Sequence, residues 1–435
     1  MKRYKRYKDS GVEWIGEIPE EWEVKKIKHL SQVKRGASPR PIDDMRYFDE
    51  NGEYAWVRIS DVTNSKVNLN YTEQRLSKLG ASKSVKLNQN SIFISICATV
   101  GKPIISNIKC CIHDGFVYFP EYKRSNKFLY YIFESKKPYE GLGKMGTQLN
   151  LNTETVGNIF IPFMNKKEEE AIVSYLDHKT SQLEALISKK QELIETLKAS
   201  RTKLISETVT KGLDKDVEMK DSGVEWIGEI PRHWEVNRLK FICDINPQKS
   251  EVRLSKSSKV SFIPMENISL NTLNLDTEKE LREVYGGYTY FRDGDIIFAK
   301  VTPCFENGNM SIVRNLTNGV GFGSTELNVL RVNEKIIDRE FLYYIIQSDK
   351  FKNQAIANMY GVAGLKRIST KFIEDYHILL PSINEQKKII EFLNIKIEYI
   401  DKIISKTEEQ ITLLKKAKQK LITEVVTGKI DVTDL

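Results

Sequence analysis

Cations stand beside small polar residues in a recurring set of loops. In the first half of the chain these loops are VKRGASPRP (Val33–Pro41), GASKSVK (Gly80–Lys86) and GKMGTQLN (Gly143–Asn150). In the second half they are NPQKSEVRLSKSSK (Asn246–Lys259), AKVTP (Ala299–Pro303) and GVAGLKR (Gly361–Arg367). Such mixtures suit contact with nucleic acid, because ammonium and guanidinium groups hold phosphates while amides and hydroxyls reach base edges. The candidates in the first half are Lys34, Arg35, Ser38 and Arg40, then Lys83 and Lys86, then Lys144, Thr147, Gln148 and Asn150. In the second half they are Gln248, Lys249, Lys256 and Lys259, then Lys300 and Thr302, then Lys366 and Arg367. Any one loop taken alone reads as solvated surface. Recurrence at matching places in two divergent halves is what argues for a contact.

Other chemistry finds little support. The five cysteines are odd in number and show no CxxC spacing, which argues for buried or half-buried thiols in a reducing compartment and against a disulfide framework or zinc site. None of the five histidines sits in HExxH or a metal-ligand cluster. GVGFGST (Gly319–Thr325) imitates a nucleotide loop but lacks the P-loop lysine, and reads as a turn between strands. Gly101-Lys102 and Gly428-Lys429 lack a following Ser or Thr, and no GxSxG is present. Asn246-Pro247-Gln248-Lys249 only echoes the Asn-Pro-Pro-aromatic tetrad of amino-methyltransferases. No catalytic residue, metal ligand or resident cofactor is assigned, so the chain reads as a binding protein rather than an enzyme. Its 67 basic and 59 acidic residues give a net charge of +8, which permits a nucleic-acid partner without demanding one. No apolar run approaches the roughly eighteen residues of a membrane span. MKRYKRYK has no apolar stretch behind it, so no signal peptide is read there and the expected location is cytoplasmic.

The elements that must position these loops come in duplicate. DSGVEWIGEIPEEWEV (Asp9–Val24) returns as DSGVEWIGEIPRHWEV (Asp221–Val236), differing only at Glu20/Arg232 and Glu21/His233. FLYYI recurs at Phe128–Ile132 and Phe341–Ile345, and KLISETVTKGLD (Lys203–Asp214) matches KLITEVVTGKID (Lys420–Asp431). The chain is therefore two tandem copies of a unit of about two hundred residues. Between the landmarks the apolar pattern persists while polar and loop residues change, so one scaffold carries two surfaces. Each copy opens with short apolar runs such as SIFISI (Ser91–Ile96) and DIIFA (Asp295–Ala299), which predict strands, and FLYYI predicts a short helix. This part is a mixed α+β domain.

Each copy closes with a long helix. Asn165 with Glu168 forms a capping box, and Gly212 marks the far end. Leu176, Thr180, Leu183, Ile187, Lys190, Ile194, Leu197, Arg201, Leu204 and Thr208 alternate spacings of four and three. Leu393, Ile397, Ile400, Ile404, Thr407, Ile411, Leu414, Lys418, Leu421 and Val425 do the same, with polar breaks at the same places. These are heptad seams, and helices about 65 Å long are expected to pair with each other; the alternative is two amphipathic helices lying on their own domains. Gly212–Lys220 spans at most about 30 Å, so the second domain sits near the end of the first helix and the pair must be antiparallel. The expected architecture is a dumbbell, a domain at each end of a two-helix bar, with a pseudo-two-fold axis. Trp14, Ile18 and Trp22, with Trp226, Ile230 and Trp234, read as a clasp fixing each domain to the bar, or as a docking surface used twice. The expected domains are residues 1–164 and 212–380, with the helices at 165–211 and 381–435.

The order WIGEIP-x-x-WEV, variable domain, long helix ending in KLI-[ST]-E-x-VT, then all again, resembles the specificity subunit of type I restriction-modification systems, the HsdS family. The resemblance covers essentially the whole chain. It implies two target recognition domains, each reading one half of a bipartite site on double-stranded DNA, and helices that set the spacer and carry two methyltransferase subunits. It further implies S-adenosylmethionine on those subunits, and ATP and Mg on restriction subunits that join them.

Overall fold

A computed structural model describes residues 2–142, 151–362 and 364–433. The chain divides into two compact units, Met1–Gln191 with Glu409–Leu435, and Glu192–Glu408. Its two long helices are Lys166–Lys211 and Ile383–Val426, of 46 and 44 residues. Both start on a polar cap: Asn165 Oδ1 accepts the Glu168 N–H at 2.9 Å, and Ser382 Oγ accepts that of Glu385 at 3.3 Å. Both end on a left-handed glycine, Gly212 (φ +77°) and Gly428 (φ +71°).

Within the first unit, Lys190 donates to Gln410 at 2.7 Å and Lys418 to Glu184 at 2.5 Å. Numbers fall along one helix as they rise along the other, so the two segments are antiparallel. Within the second unit, Arg201 donates to Asp401 at 3.1 Å, while a Cβ added at Gly212 would lie 3.4 Å from Glu385 Oε1, which gives the same direction. The seam residues lie on the covered side. Leu176, Thr180, Ile194, Arg201 and Thr208 are buried, and Leu183, Ile187, Lys190, Leu197 and Leu204 half-buried. In the second helix Leu393, Ile397, Thr407, Ile411 and Val425 are buried, and Ile400, Ile404, Leu414, Lys418 and Leu421 half-buried. Toward the helix ends the buried face is wider than a heptad seam. Ile172, Ile205, Val209, Ile389, Ile390, Ile422 and Val426 are also buried, because there the helices pack against the rest of their unit as well as each other.

Each unit carries two larger sheets, and in the strands they share the order matches between the units. In the first, a four-stranded sheet runs Gln74–Leu76, Tyr54–Val57, Cys110–Ile112, Val85–Leu87, with a parallel central pair. In the second the order is Glu278–Glu280, Lys259–Ile263, Val320–Gly323, Thr289–Arg292, again with a parallel central pair. The other sheets run Lys34–Arg35, Phe116–Tyr118, Ile92–Ser95, Pro103–Ser106, Asn68–Leu69, and Cys243–Ile245, Leu327–Val332, Ile296–Ala299, Met310–Ile312. The expected short helices are Asn126–Glu134 and Arg339–Gln347. The α+β class, the tandem domains and the antiparallel long helices are as the sequence led one to expect.

One expectation fails. GVGFGST is not a turn: Val320–Gly323 is a strand at the centre of its sheet. Its glycines answer a packing need, since a Cβ at Gly321 would lie 2.3 Å from the Phe291 ring and one at Gly323 2.5 Å from the Ile263 carbonyl oxygen.

The repeated motif is a hairpin leading into a buried tryptophan. Tyr7–Asp9 pairs with Glu17–Pro19, and Met219–Asp221 with Glu229–Pro231. Ile18 and Trp22, and Ile230 and Trp234, are buried in the cores of their units, with Trp14 and Trp226 half-buried against them. Each tryptophan lies against the glycine that ends a long helix. A Cβ at Gly428 would lie 2.9 Å from Trp22, and one at Gly212 3.2 Å from Trp234.

Candidate nucleic-acid interface

In the first unit the strand pair Cys110–Ile112 and Phe116–Tyr118 is joined by a turn bearing His113 and Asp114. The loop after Lys34–Arg35 folds onto this turn. Ser38 donates its hydroxyl to Asp114 Oδ1 at 3.1 Å, Arg40 lies 3.5 Å from Oδ2, and Arg35 Nε donates to the Asp114 carbonyl. Ser84, flanked by candidates Lys83 and Lys86, donates to the Ala37 carbonyl at 2.7 Å, which joins the second loop to the first. Lys86 Nζ sits 5.3 Å from the centre of the Tyr54 ring. The structure thus gathers Arg35, Ser38 and Arg40 at Asp114, with Lys83 beside Ser84, while Lys86 reaches over Tyr54 toward Glu53. Lys34 precedes Arg35 on an edge strand and so leaves on the opposite face. Burial holds His113 below the ordinary histidine range, in keeping with its Nδ1 accepting the Gly115 N–H at 2.8 Å. Lys144, Thr147, Gln148 and Asn150 lie outside the described residues.

In the second unit the corresponding turn joins Val320–Gly323 to Leu327–Val332 and carries Glu326. Arg367 donates to Glu326 through Nε (3.1 Å) and Nη2 (2.9 Å), which holds the carboxyl below its usual range. The Lys300 N–H donates to the Glu326 carbonyl at 2.9 Å, and the Lys300 carbonyl accepts the Ile368 N–H at 2.8 Å. Thr302 Oγ1 accepts the Lys366 N–H at 3.0 Å and donates to the Gly364 carbonyl at 2.8 Å. Lys300, Thr302, Lys366 and Arg367 therefore form one cluster. Lys249 instead donates to the carbonyls of Tyr285 (2.5 Å) and Gly286 (3.1 Å), beside Gln248, which caps a single 3-10 turn. Lys259 pairs with Glu278 at 3.4 Å on an outer strand, and the Lys256 carbonyl accepts the Arg282 N–H nearby. Those four serve a different part of the unit.

Asp114 and Glu326 were not among the sequence candidates. Each follows a central strand with no Lys or Arg beside it in sequence, and its arginine partner comes from a distant loop, so no local pattern marked it. Catalytic alternatives gain nothing from the geometry. Burial pushes the thiols of Cys110 up to about 11 and of Cys111 and Cys243 up to about 12, so none is an anionic nucleophile at neutral pH. Cys97 is exposed, unlike the buried or half-buried state expected for all five; it lies on a surface loop, and the partial burial of its thiol raises its pKa too. Among the described residues, no group of three or more His, Cys, Asp or Glu is placed to hold a metal ion, and no helix is long and apolar enough to cross a membrane.

Comparison with known proteins completes the picture. The family described as "Type I restriction modification DNA specificity domain" matches residues 19–196 and 231–413, once per copy. The chain is 36% identical over 201 residues to the type I restriction enzyme EcoAI specificity subunit of Escherichia coli, a stretch covering 46% of this chain and 33% of that protein. It is 24% identical over 427 residues to the MjaVIII specificity subunit of Methanocaldococcus jannaschii, covering 96% and 95%. A chain solved in work on complex assembly and conformational transition of the type I R-M system shares the fold, with TM-score 0.70, 14% identity, and coverage of 95% and 99%. With both copies matched by one family and the whole length aligned to a specificity subunit, the chain belongs to the type I restriction-modification specificity family.

Proposed function

We propose that the chain is the sequence-specific DNA-binding subunit of a type I restriction-modification complex and is itself non-catalytic. Residues 1–164 and 212–380 each read one half of a bipartite site. The helices, 165–211 and 381–435, fix the unread spacer and carry two adenine-N6 methyltransferase subunits. Those subunits bring S-adenosylmethionine, and restriction subunits bring ATP and Mg. The observation that carries this reading is the same two-sheet unit built twice, each with a cation cluster at the same turn but made of different residues. Identical scaffolds with different contact residues suit an asymmetric two-part target. Ile395 and Tyr399, 63% and 67% exposed one turn apart on the second helix, supply an apolar handle for a partner subunit.

Methylation mapping of host DNA by single-molecule sequencing, with and without the gene, tests the proposal. A bipartite N6-methyladenine motif is expected to vanish with the gene; a motif that persists while the methyltransferase is active would refute it. The spacer role has its own test. Adding one heptad to each helix, at Lys190 and at its partner Gln410, lengthens both by about 10 Å. The unread spacer is then expected to grow by about three base pairs.

A further inference from the structure

Resting on the DNA-reading function proposed above, the geometry of the second unit points to one base contact. We infer that Arg367 reads a guanine in the major groove and that Glu326 is the positioning residue that aims it. Arg367 stands on a two-stranded ribbon, Tyr360–Val362 with Leu365–Arg367, in which Tyr360 is 59% and Leu365 47% exposed. A two-stranded ribbon with exposed side chains is an element the major groove admits. The ribbon is pinned along its second strand, out to Gly364 in its turn. Thr302 Oγ1 holds both the Gly364 carbonyl and the Lys366 N–H, the Thr302 N–H donates to the Lys366 carbonyl at 3.0 Å, and Val301 bridges to Arg367.

The guanidinium is held by one side only. Glu326 occupies Nε and one hydrogen of Nη2, at 3.1 and 2.9 Å. What remains is the outer edge, Nη1 with the second Nη2 hydrogen, whose paired donors match O6 and N7 of guanine. Holding the side chain in this pose before DNA arrives removes rotamer freedom that binding would otherwise have to remove. With side chains 35% and 30% exposed the pair adds only modest stability, and its forked geometry adds direction. Its product is orientation. The counterpart in the first unit lacks this form: Arg40 is 80% exposed and meets Asp114 through a single contact at 3.5 Å. The inference is therefore confined to the second unit.

The test uses the full chain assembled with its methyltransferase partner. Binding is measured by competition against duplexes in which each pair of the wild-type motif is substituted singly. Arg367→Ala and Arg367→Lys are expected to erase the preference for G at one position of one half-site, by about tenfold to a hundredfold, with other positions unchanged. Arg367→Lys retains the charge, so its salt dependence stays near wild type while discrimination falls; it carries the test if the alanine variant misfolds. Glu326→Gln is expected to flatten the same position, and only that one. A wild type that discriminates while Arg367→Lys keeps every base preference would overturn the contact. A Glu326→Gln protein with undiminished preference at the Arg367 position would overturn the positioning role. A wild type with no discriminating position would instead overturn the DNA-reading function, so the failures are distinct.

Discussion

The two copies of the hairpin-and-tryptophan clasp differ at two positions, and the structure shows how each unit absorbs the difference. Glu20 in the first pairs with Arg6 at 2.8 Å; in the second the signs are reversed, with Arg232 paired to Glu218. At the other position, His233 and Trp234 both bond to Glu385, at 2.9 and 3.1 Å. The first unit has Glu21 there, Trp22 Nε1 has no hydrogen-bond partner among the described residues, and Tyr4 packs edge-on against Trp22 with ring centres 5.7 Å apart. Burial, then the nearby Glu168, hold the Tyr4 phenol above its ordinary range. The cation clusters at the sheet turns show no such matching. One rests on Asp114 with a serine and two arginines, the other on a forked Arg367–Glu326 pair. The exchange of Glu20 for Arg232 carries its charge partner with it, whereas the outward-facing clusters change without such matching.

The largest effects should come from the clasps. Trp22 and Trp234 are 1% and 0% exposed, and replacing either by Ala is expected to cost about 3–5 kcal/mol. The sharper comparison is Trp→Phe. In the second unit it removes a bond to Glu385; in the first it removes a buried donor that has no partner. Trp234→Phe should therefore cost about 1–3 kcal/mol more than Trp22→Phe. Denaturant midpoints of the two variants check this, and equal midpoints would remove the asymmetry between the clasps.

The duplication, the long helices and their antiparallel pairing were legible in the sequence, because repeated identity and heptad spacing are local signals and a short connection restricts where a helix can begin. Thr180 and Thr407, the polar members of the seams, are buried as the spacing implied. The wider face at Ile205 and Val209 was not legible, since it depends on which sheet covers the helix end. Nor were the acids at the centre of the cation clusters. Arg367 and Glu326 are 41 positions apart, and Ser38 and Asp114 76, and no local pattern announces pairs at such range. The central strand at Val320 was misread because close packing and turn chemistry both call for glycine.

A middle-sized effect separates the polar breaks of the two seams. Arg201, with its side chain 9% exposed, bonds to Asp401 and, at 3.3 Å, to Gln347. Lys418, 19% exposed, bonds to Glu184 at 2.5 Å and sits in the equivalent layer. Arg201→Met strands the Gln347 amide, which is 3% exposed and whose Nε2 already lacks a partner among the described residues. Because Asp401 is 46% exposed and can rehydrate, the cost is expected to be about 1–3 kcal/mol rather than that of a fully buried pair. Lys418→Met should cost about 1 kcal/mol or less. Urea titrations of the two variants rank the layers. A larger loss at Lys418 would mean that side-chain burial does not decide which break is stronger.

The smallest effect tests compensation itself. Arg6 and Glu20 are 80% and 49% exposed, so their bond contributes at most about 1 kcal/mol. Glu20→Arg alone sets two cations together across the hairpin, and Arg6→Glu alone sets two acids together; each is expected to destabilise slightly. The double variant reproduces the polarity of Glu218 with Arg232 and should return to wild-type stability. The quantity to measure is the coupling energy of this double-mutant cycle, first at low salt and then at about 1 M, where the screening length falls to about 3 Å. A coupling that is favourable at low salt and shrinks at high salt identifies charge matching as the reason the copies differ as a pair. A coupling of zero at low salt would leave the reversal without an electrostatic cause, and the two clasps would then differ only where His233 faces Glu385.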